Sequence, residues 1–193
     1  MASLPSPLLS PEQYLELDSR SDRPSEYYDG VMYPIEATTF NHSRICIDLS
    51  SILGQKLRNT SCEALGPTVR VLLPNKRYAY PDVLIVCGKL ERDDAKYQTA
   101  LNPIAIMEVL SPSTEDFDRG GKADLYRGIP SLKEYVILAQ DRILVQRYTK
   151  RGERHWNLQE FTEADEVLRL ESVNVDIPLH QIYERVEFDP PAE

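Results

Sequence analysis

Hydrophobic positions change period several times along the chain. From Thr38 to Arg58, Ile45, Leu49, Ile52, Leu53 and Leu57 follow the spacing of an amphipathic helix with no proline to interrupt it, which predicts the longest helix of the protein. Residues 62–73 and 78–87 read as strands, broken by Pro67 and by a turn at Pro74-Asn75. Residues 103–110 form a further apolar strand, and 115–127 a helix that closes near Gly128 and Pro130. Tyr135–Ala139 and Ile143–Tyr148 flank Gln140-Asp141-Arg142 as a hairpin. Short strands follow around Trp156–Phe161 and Val167–Val175, with a last helical turn at Leu179–Tyr183. Upstream, Ser10 and Pro11 are placed to cap and open a short helix over 12–17, and Tyr28-Asp29-Gly30-Val31 carries the Asp-Gly signal of a tight hairpin. Helix, strands, helix, strands is the order of an α/β or α+β domain.

Composition narrows this reading. At 193 residues, with 41% hydrophobic and 27% charged residues, the chain suits one globular domain. We expect an N-terminal extension with a short helix over 1–23, a domain over 24–185 and an acidic, Pro-containing tail over 186–193. No apolar run reaches the roughly 20 residues that span a bilayer, and Met1-Ala-Ser-Leu-Pro carries no secretory pattern, so the expectation is a cytoplasmic protein with no membrane partner. Cys46, Cys62 and Cys87 are odd in number and lack a CxxC spacing. They read as small buried hydrophobes, and the scattered His42, His155 and His180 speak against a zinc enzyme.

The net charge of −9 opposes nonspecific binding to a polyanion. Its distribution softens the objection. Residues 1–29 hold six acids against two bases and 184–193 four against one, whereas Arg119–Arg154 holds nine bases and four acids. The bases of Arg142–Arg154 read as a solvated hairpin face.

Two acids stand out because their surroundings are apolar. Asp82 opens the run Val83-Leu84-Ile85-Val86, and Glu108 lies near the end of Ile104-Ala105-Ile106-Met107-Glu108-Val109-Leu110. Such runs mark strands buried on both faces, where an ionised carboxylate costs several kcal/mol unless it is paired, hydrogen-bonded or metal-bound. Two carboxylates converging from neighbouring strands supply hard oxygen ligands for Mg²⁺ or Mn²⁺. Lys122, on the helix after the Glu108 strand, can point back at that position with Tyr126 one turn on. Each residue also has a plainer reading: a strand-start hydrogen-bond acceptor for Asp82, and an Asp118–Lys122 helical ion pair at i,i+4. His42 falls on the buried face of its helix, as a packed histidine would. Ser111 and Ser113 lack a G-x-S-x-G elbow and suit a strand-to-helix turn capped by Ser113 or Thr114.

In combination, Pro81-Asp82, Glu108-Val109-Leu110-Ser111-Pro112-Ser113-Thr114, Asp118-Arg119, Lys122, Tyr126 and Ile129-Pro130-Ser131-Leu132-Lys133-Glu134-Tyr135-Val136 resemble the Uma2 family (DUF820) of the PD-(D/E)XK restriction-endonuclease-like nucleases. Glu26-Tyr27-Tyr28-Asp29-Gly30 and the helix containing His42 extend the likeness over residues 24–185. The resemblance implies an αβββαβ core with a central mixed sheet and extra C-terminal strands. It implies Asp82 and Glu108 as ligands of Mg²⁺ (or Mn²⁺), Lys122 as the catalytic lysine, Tyr126 and Glu26 in support, DNA as substrate, and a homodimer. The superfamily's usual lysine two residues after the glutamate is replaced here by Leu110, so the role moves to Lys122 on the next helix. The alternative is a catalytically degenerate binding or assembly protein that keeps the fold.

Overall fold

The computed structural model describes residues 8–36, 38–93, 98–111 and 115–188. Helix α1 spans Pro11–Asp18 and opens with a full capping box, in which the Ser10 hydroxyl accepts from the Gln13 amide and the Gln13 side chain accepts from the Ser10 amide. Strands β1 (Ser25–Tyr28) and β2 (Val31–Pro34) form the expected hairpin. Its turn residues Asp29 and Gly30 both have positive φ, 51° and 93°, the geometry that an Asp-Gly turn accommodates. The long helix α2 spans Phe40–Lys56, capped by the Thr39 hydroxyl on the His42 amide, and buries Ile45, Leu49 and Leu53 on its periodic face.

The strands β3 (Cys62–Leu65), β4 (Val71–Leu73), β5 (Arg77–Ala79), β6 (Val83–Cys87) and β7 (Ala105–Val109) follow. Then come α3 (Glu115–Arg119), α4 (Gly121–Arg127), β8 (Glu134–Leu138), β9 (Val145–Lys150), β10 (Trp156–Phe161), β11 (Val167–Leu170), β12 (Val175–Pro178) and α5 (Leu179–Tyr183). The central six-stranded sheet has the order β10-β9-β8-β7-β6-β3. It is mixed, because β7 and β8 pair in parallel across the α3–α4 crossover while the other neighbours are antiparallel. Read in chain order, α2, β3, β6, β7, α3–α4 and β8 are the αβββαβ core, and β9 to β12 are the extra C-terminal strands.

Strand alternation sends β6 and β7 side chains to two cores. Val83, Ile85, Ala105, Met107 and Val109 pack with α2, α5 and the β11–β12 hairpin. Leu84, Val86 and Ile106 pack on the opposite face with Ala123 and Tyr126 of α4. A second sheet, β2-β1-β5-β4, lies beside that α4 face. α1 joins it through a tyrosine cluster in which the Tyr14 ring stacks on Tyr27 at 4.8 Å and leans on Tyr78 at 5.3 Å.

Some expectations are corrected. The single helix over 115–127 is two, broken at Gly120-Gly121, where Gly120 leaves the helical region at φ −106°, ψ −98°. Gly121 packs tightly, since a Cβ there would sit 3.0 Å from the Phe117 ring. Capping by Ser113 or Thr114 concerns residues outside those described. Cys62 and Cys87, read from sequence as packing residues, are cross-strand partners at the end of the β3–β6 ladder and are disulfide-bonded. Their pairing depends on a register that links residues 25 apart and has no local signature. Of the hairpin bases, Arg142, Arg151 and Arg154 are exposed as expected, Arg142 paired with Asp141 and Arg151 bidentate on Glu171, whereas Arg147 departs from the expectation and is buried against Gln159 and Glu171. Among the described residues, no helix is long and apolar enough to cross a membrane.

Candidate active site at the ends of β6 and β7

The β6–β7 register decides where the two acids meet. Val83 faces Met107 and Leu84 faces Ile106, so one step further along the antiparallel pair Asp82 stands across from Glu108. Glu108 belongs to the sheet face that carries Ile106, on which α4 packs, whereas Asp82, just before β6, also reaches His42 of α2. The two residues touch directly: the Asp82 amide points at Glu108 Oε2 at 3.4 Å, and the Val109 amide donates to Asp82 Oδ2 at 2.8 Å. The second bond uses the main chain of β7 to orient the Asp82 carboxylate.

Lys122 and Tyr126, four residues apart on α4, both reach Glu108 Oε1. The ammonium lies 2.9 Å away and the Tyr126 hydroxyl donates at 2.7 Å. Lys122 Nζ also lies 3.0 Å from Glu26 Oε1 and 3.4 Å from Asp118 Oδ1, so the i,i+4 pair anticipated as the plainer reading exists as one arm of a larger network. Glu26 arrives from β1, fixed by the Tyr28 hydroxyl at 2.9 Å and the Tyr80 amide at 3.2 Å. All five residues expected from the sequence, Glu26, Asp82, Glu108, Lys122 and Tyr126, are thus brought together, and Lys122 is turned inward and only 6% exposed.

Three members of the cluster were not among those five. Asp118 supplies a fourth carboxylate, buried at the end of α3. Its signal was the Asp118–Lys122 spacing, which pointed only to a surface pair. His42 Nε2 lies 3.3 Å from Asp82 Oδ2 and lines the cleft, while its Nδ1 is 3.5 Å from the Cys46 sulfur one turn along α2. The i,i+4 spacing of His42 and Cys46 was legible, but their approach to Asp82 required the packing of α2 on the sheet.

The electrostatics follow from burial and from a charge imbalance. Glu26, Asp82, Glu108 and Asp118 surround a single ammonium. Burial pushes the Glu108 carboxyl well above the usual carboxylate range. Lys122 opposes this, and Asp82, Asp118 and Glu26 add to it. Burial raises Asp82 as well, but the hydrogen bond from His42, the Val109 amide and Lys122 more than offset it, leaving Asp82 below its ordinary value. Burial would favour a neutral Lys122, yet Glu108, Tyr126, Glu26 and Asp118 hold its ammonium well above the usual lysine value. Two carboxylates across one strand pair are therefore pushed in opposite directions, an asymmetry typical of functional sites.

The cluster forms one wall of a cleft of about 810 Å³. Tyr33 and Phe117 at its rim are half-exposed and pack against Tyr28 from either side, at 5.8 and 5.2 Å between ring centres. An excess of hard oxygen donors in a buried, net negative pocket fits a divalent cation, which would relieve repulsion that Lys122 alone does not. Asp82 and Glu108 would hold it.

A family model described as "Uma2: Putative restriction endonuclease" matches residues 11–179. The chain is 33% identical over 187 residues to the protein slr1290 of Synechocystis sp. (strain ATCC 27184 / PCC 6803 / Kazusa), covering 96% of this chain and 97% of that one. It is 32% identical over 154 residues to sll1609 of the same organism, covering 79% of this chain and 87% of that one. Its fold matches a crystal structure titled as a putative nuclease belonging to DUF820 from Anabaena variabilis, with a TM-score of 0.74 over 91% of this chain and 98% of that chain, at 15% identity. Sequence match across most of the chain, with the fold in agreement, shows that this protein belongs to the Uma2 family.

Proposed function

We propose that the protein is a divalent-metal-dependent endonuclease that hydrolyses DNA phosphodiester bonds at the Asp82–Glu108 site. The observation that carries this reading is the placement of two strand-end carboxylates opposite each other in a cleft wall, with a buried lysine 2.9 Å from one of them. Membership of a nuclease family supports it.

Bound between Asp82 and Glu108, Mg²⁺ or Mn²⁺ would supply Lewis-acid polarisation and a bound water acidic enough to attack phosphorus. The chain's own residues prepare the site. Tyr126 and Lys122 both engage Glu108 Oε1, which fixes the carboxylate and leaves Oε2 toward Asp82. The Val109 amide and His42 fix Asp82, so little reorganisation is left for the reaction itself. Lys122 also brings the one ammonium of the cluster to the cleft wall, where it would offset negative charge developing on a phosphoryl oxygen. Glu26 and Asp118 keep that ammonium charged and aimed. The family likeness extends the proposal to a homodimer that would present two such sites to a duplex.

Incubating purified protein with plasmid and linear DNA in Mg²⁺ or Mn²⁺ tests the assignment. Cleavage is expected in wild type and absent in Asp82→Ala. Equal cleavage by both proteins would overturn it, and metal-independent binding without cleavage would favour the degenerate alternative.

A further inference from the structure

We infer that His42, Cys46 and Asp82 form a second metal site, selective for a thiophilic transition-metal ion of the Zn²⁺ class and sharing Asp82 with the oxygen-lined site of Glu108. One donor atom from each of the three residues lies within 4.8 Å of the other two. They offer nitrogen, sulfur and oxygen, a mixed set that suits Zn²⁺ or Co²⁺ and gives Mg²⁺ little, whereas Asp82 with Glu108 offers oxygen alone.

The placement is built into the fold. His42 and Cys46 are one turn apart on α2, so both side chains rise from the same helix face. That face packs on the sheet through Ile45 and Leu49, which holds the pair against the end of β6 where Asp82 sits. His42 is 7% exposed, with Nδ1 3.5 Å from the Cys46 sulfur and Nε2 3.3 Å from Asp82 Oδ2, so a shared ion takes one of the two nitrogens and the imidazole turns that nitrogen toward it on loading. Donors around a tetrahedral Zn²⁺ stand roughly 3.3–3.8 Å apart, given metal–donor bonds of about 2.0–2.3 Å, so the three donors, already within 4.8 Å of one another, have only a short distance to close on loading. On loading, the Cys46 thiol releases its proton to solvent as the sulfur–metal bond forms, and a water completes the coordination. Because Asp82 serves both sites, occupancy of the sulfur site withdraws a ligand from the Glu108 side. A thiophilic ion then antagonises Mg²⁺ or Mn²⁺ binding there.

Co²⁺ is the probe, because a thiolate–Co²⁺ bond absorbs in the near ultraviolet and a tetrahedral centre gives intense visible bands. Cys46 is the one free thiol of the chain, since Cys62 and Cys87 are bonded to each other. With the oxidised full-length protein we expect the thiolate band to saturate at one equivalent of Co²⁺, to be displaced by Zn²⁺, and to vanish in Cys46→Ser. His42→Ala is expected to weaken Co²⁺ binding by at least about tenfold. Circular dichroism and thermal melting confirm that each variant is folded, and Cys62→Ser/Cys87→Ser, with its disulfide removed by design, should keep the band. Absence of the band in wild type, or its persistence in folded Cys46→Ser, overturns the inference. Glu108→Gln separates this proposal from the nuclease reading: it should lose Mn²⁺ binding followed by electron paramagnetic resonance yet retain the Co²⁺–thiolate band, and loss of that band would also overturn the second site.

Discussion

Replacing Lys122 by Met removes the one ammonium among four carboxylates while keeping a side chain of similar length. At an effective dielectric constant of about 20, each of its contacts, at 2.9 Å to Glu108, 3.0 Å to Glu26 and 3.4 Å to Asp118, is a gross attraction of roughly 5–6 kcal/mol. Burying four ions offsets most of that gain. Deleting one partner forfeits the attraction while the desolvation remains, and such deletions cost about 3–5 kcal/mol. For a chain of this size that is a fall in Tm of roughly 6–20 °C. Denaturant unfolding of wild type and Lys122→Met without divalent cations measures it directly.

The pH dependence has a definite sign. Burial already holds the folded-state Glu108 carboxyl above its unfolded value, and losing Lys122, the charge that opposes this, raises it further. The penalty is then complete above the folded value and fades as pH falls and the carboxyls protonate. The gap between wild type and variant should therefore be widest near pH 8 and shrink toward pH 5. Excess Mn²⁺ should recover part of it at pH 8 by restoring positive charge. A loss below about 1 kcal/mol at pH 8, the level of an exposed ion pair, would refute the view that Lys122 is the counter-ion of a buried cluster.

Other expectations follow from the same geometry. Tyr126→Phe removes the hydroxyl at 2.7 Å from Glu108 and should cost about 1.5–3 kcal/mol in unfolding free energy, with a drop in any metal-supported cleavage. Asp18→Asn should cost about 3–5 kcal/mol at an unchanged m-value, because Asp18 accepts from Arg70 at 2.6 Å, Tyr80 at 2.5 Å and the Ser25 amide at 2.8 Å in a buried network that ties α1 to both β1 and Arg70. Reducing the Cys62–Cys87 bond, which closes a 25-residue separation, should lower stability by about 3.5 kcal/mol on the loop-entropy account, read by unfolding with and without a reductant. Equal stability with and without the bond would mean that the β3–β6 ladder alone holds that edge.

Several elements were legible because their signals are local. The α2 stripe, the Ser10 cap and the Asp29-Gly30 turn each depend on neighbours within a few residues, and all three form as read. The acids were legible for a different reason: an isolated carboxylate in a strand of buried apolar residues needs a partner. Asp118 was legible only as the i,i+4 partner of Lys122, because spacing along a helix does not say which way the pair faces, and its burial in the cluster exists only in the folded molecule. The disulfide and the His42–Cys46–Asp82 cluster escaped for the same kind of reason, since no spacing along the chain encodes a cross-strand register or a helix-on-sheet contact.

Most of the elements, the resemblance to the family, and the need for Glu108 to find compensation inside the molecule were therefore legible in the chain itself, though not the break of 115–127 into two helices. Periodicity, caps and turns are short-range physics, and the desolvation of a carboxylate is a property of the residue and its flanking side chains. The tertiary structure alone decided who provides the compensation. The β6–β7 register set Asp82 against Glu108, α4 turned Lys122 inward, and β1 delivered Glu26 from the other sheet. Coulomb interactions depend on distance in space, and a distance of about 3 Å between residues as far apart along the chain as Glu26 and Lys122 exists only once the chain has folded.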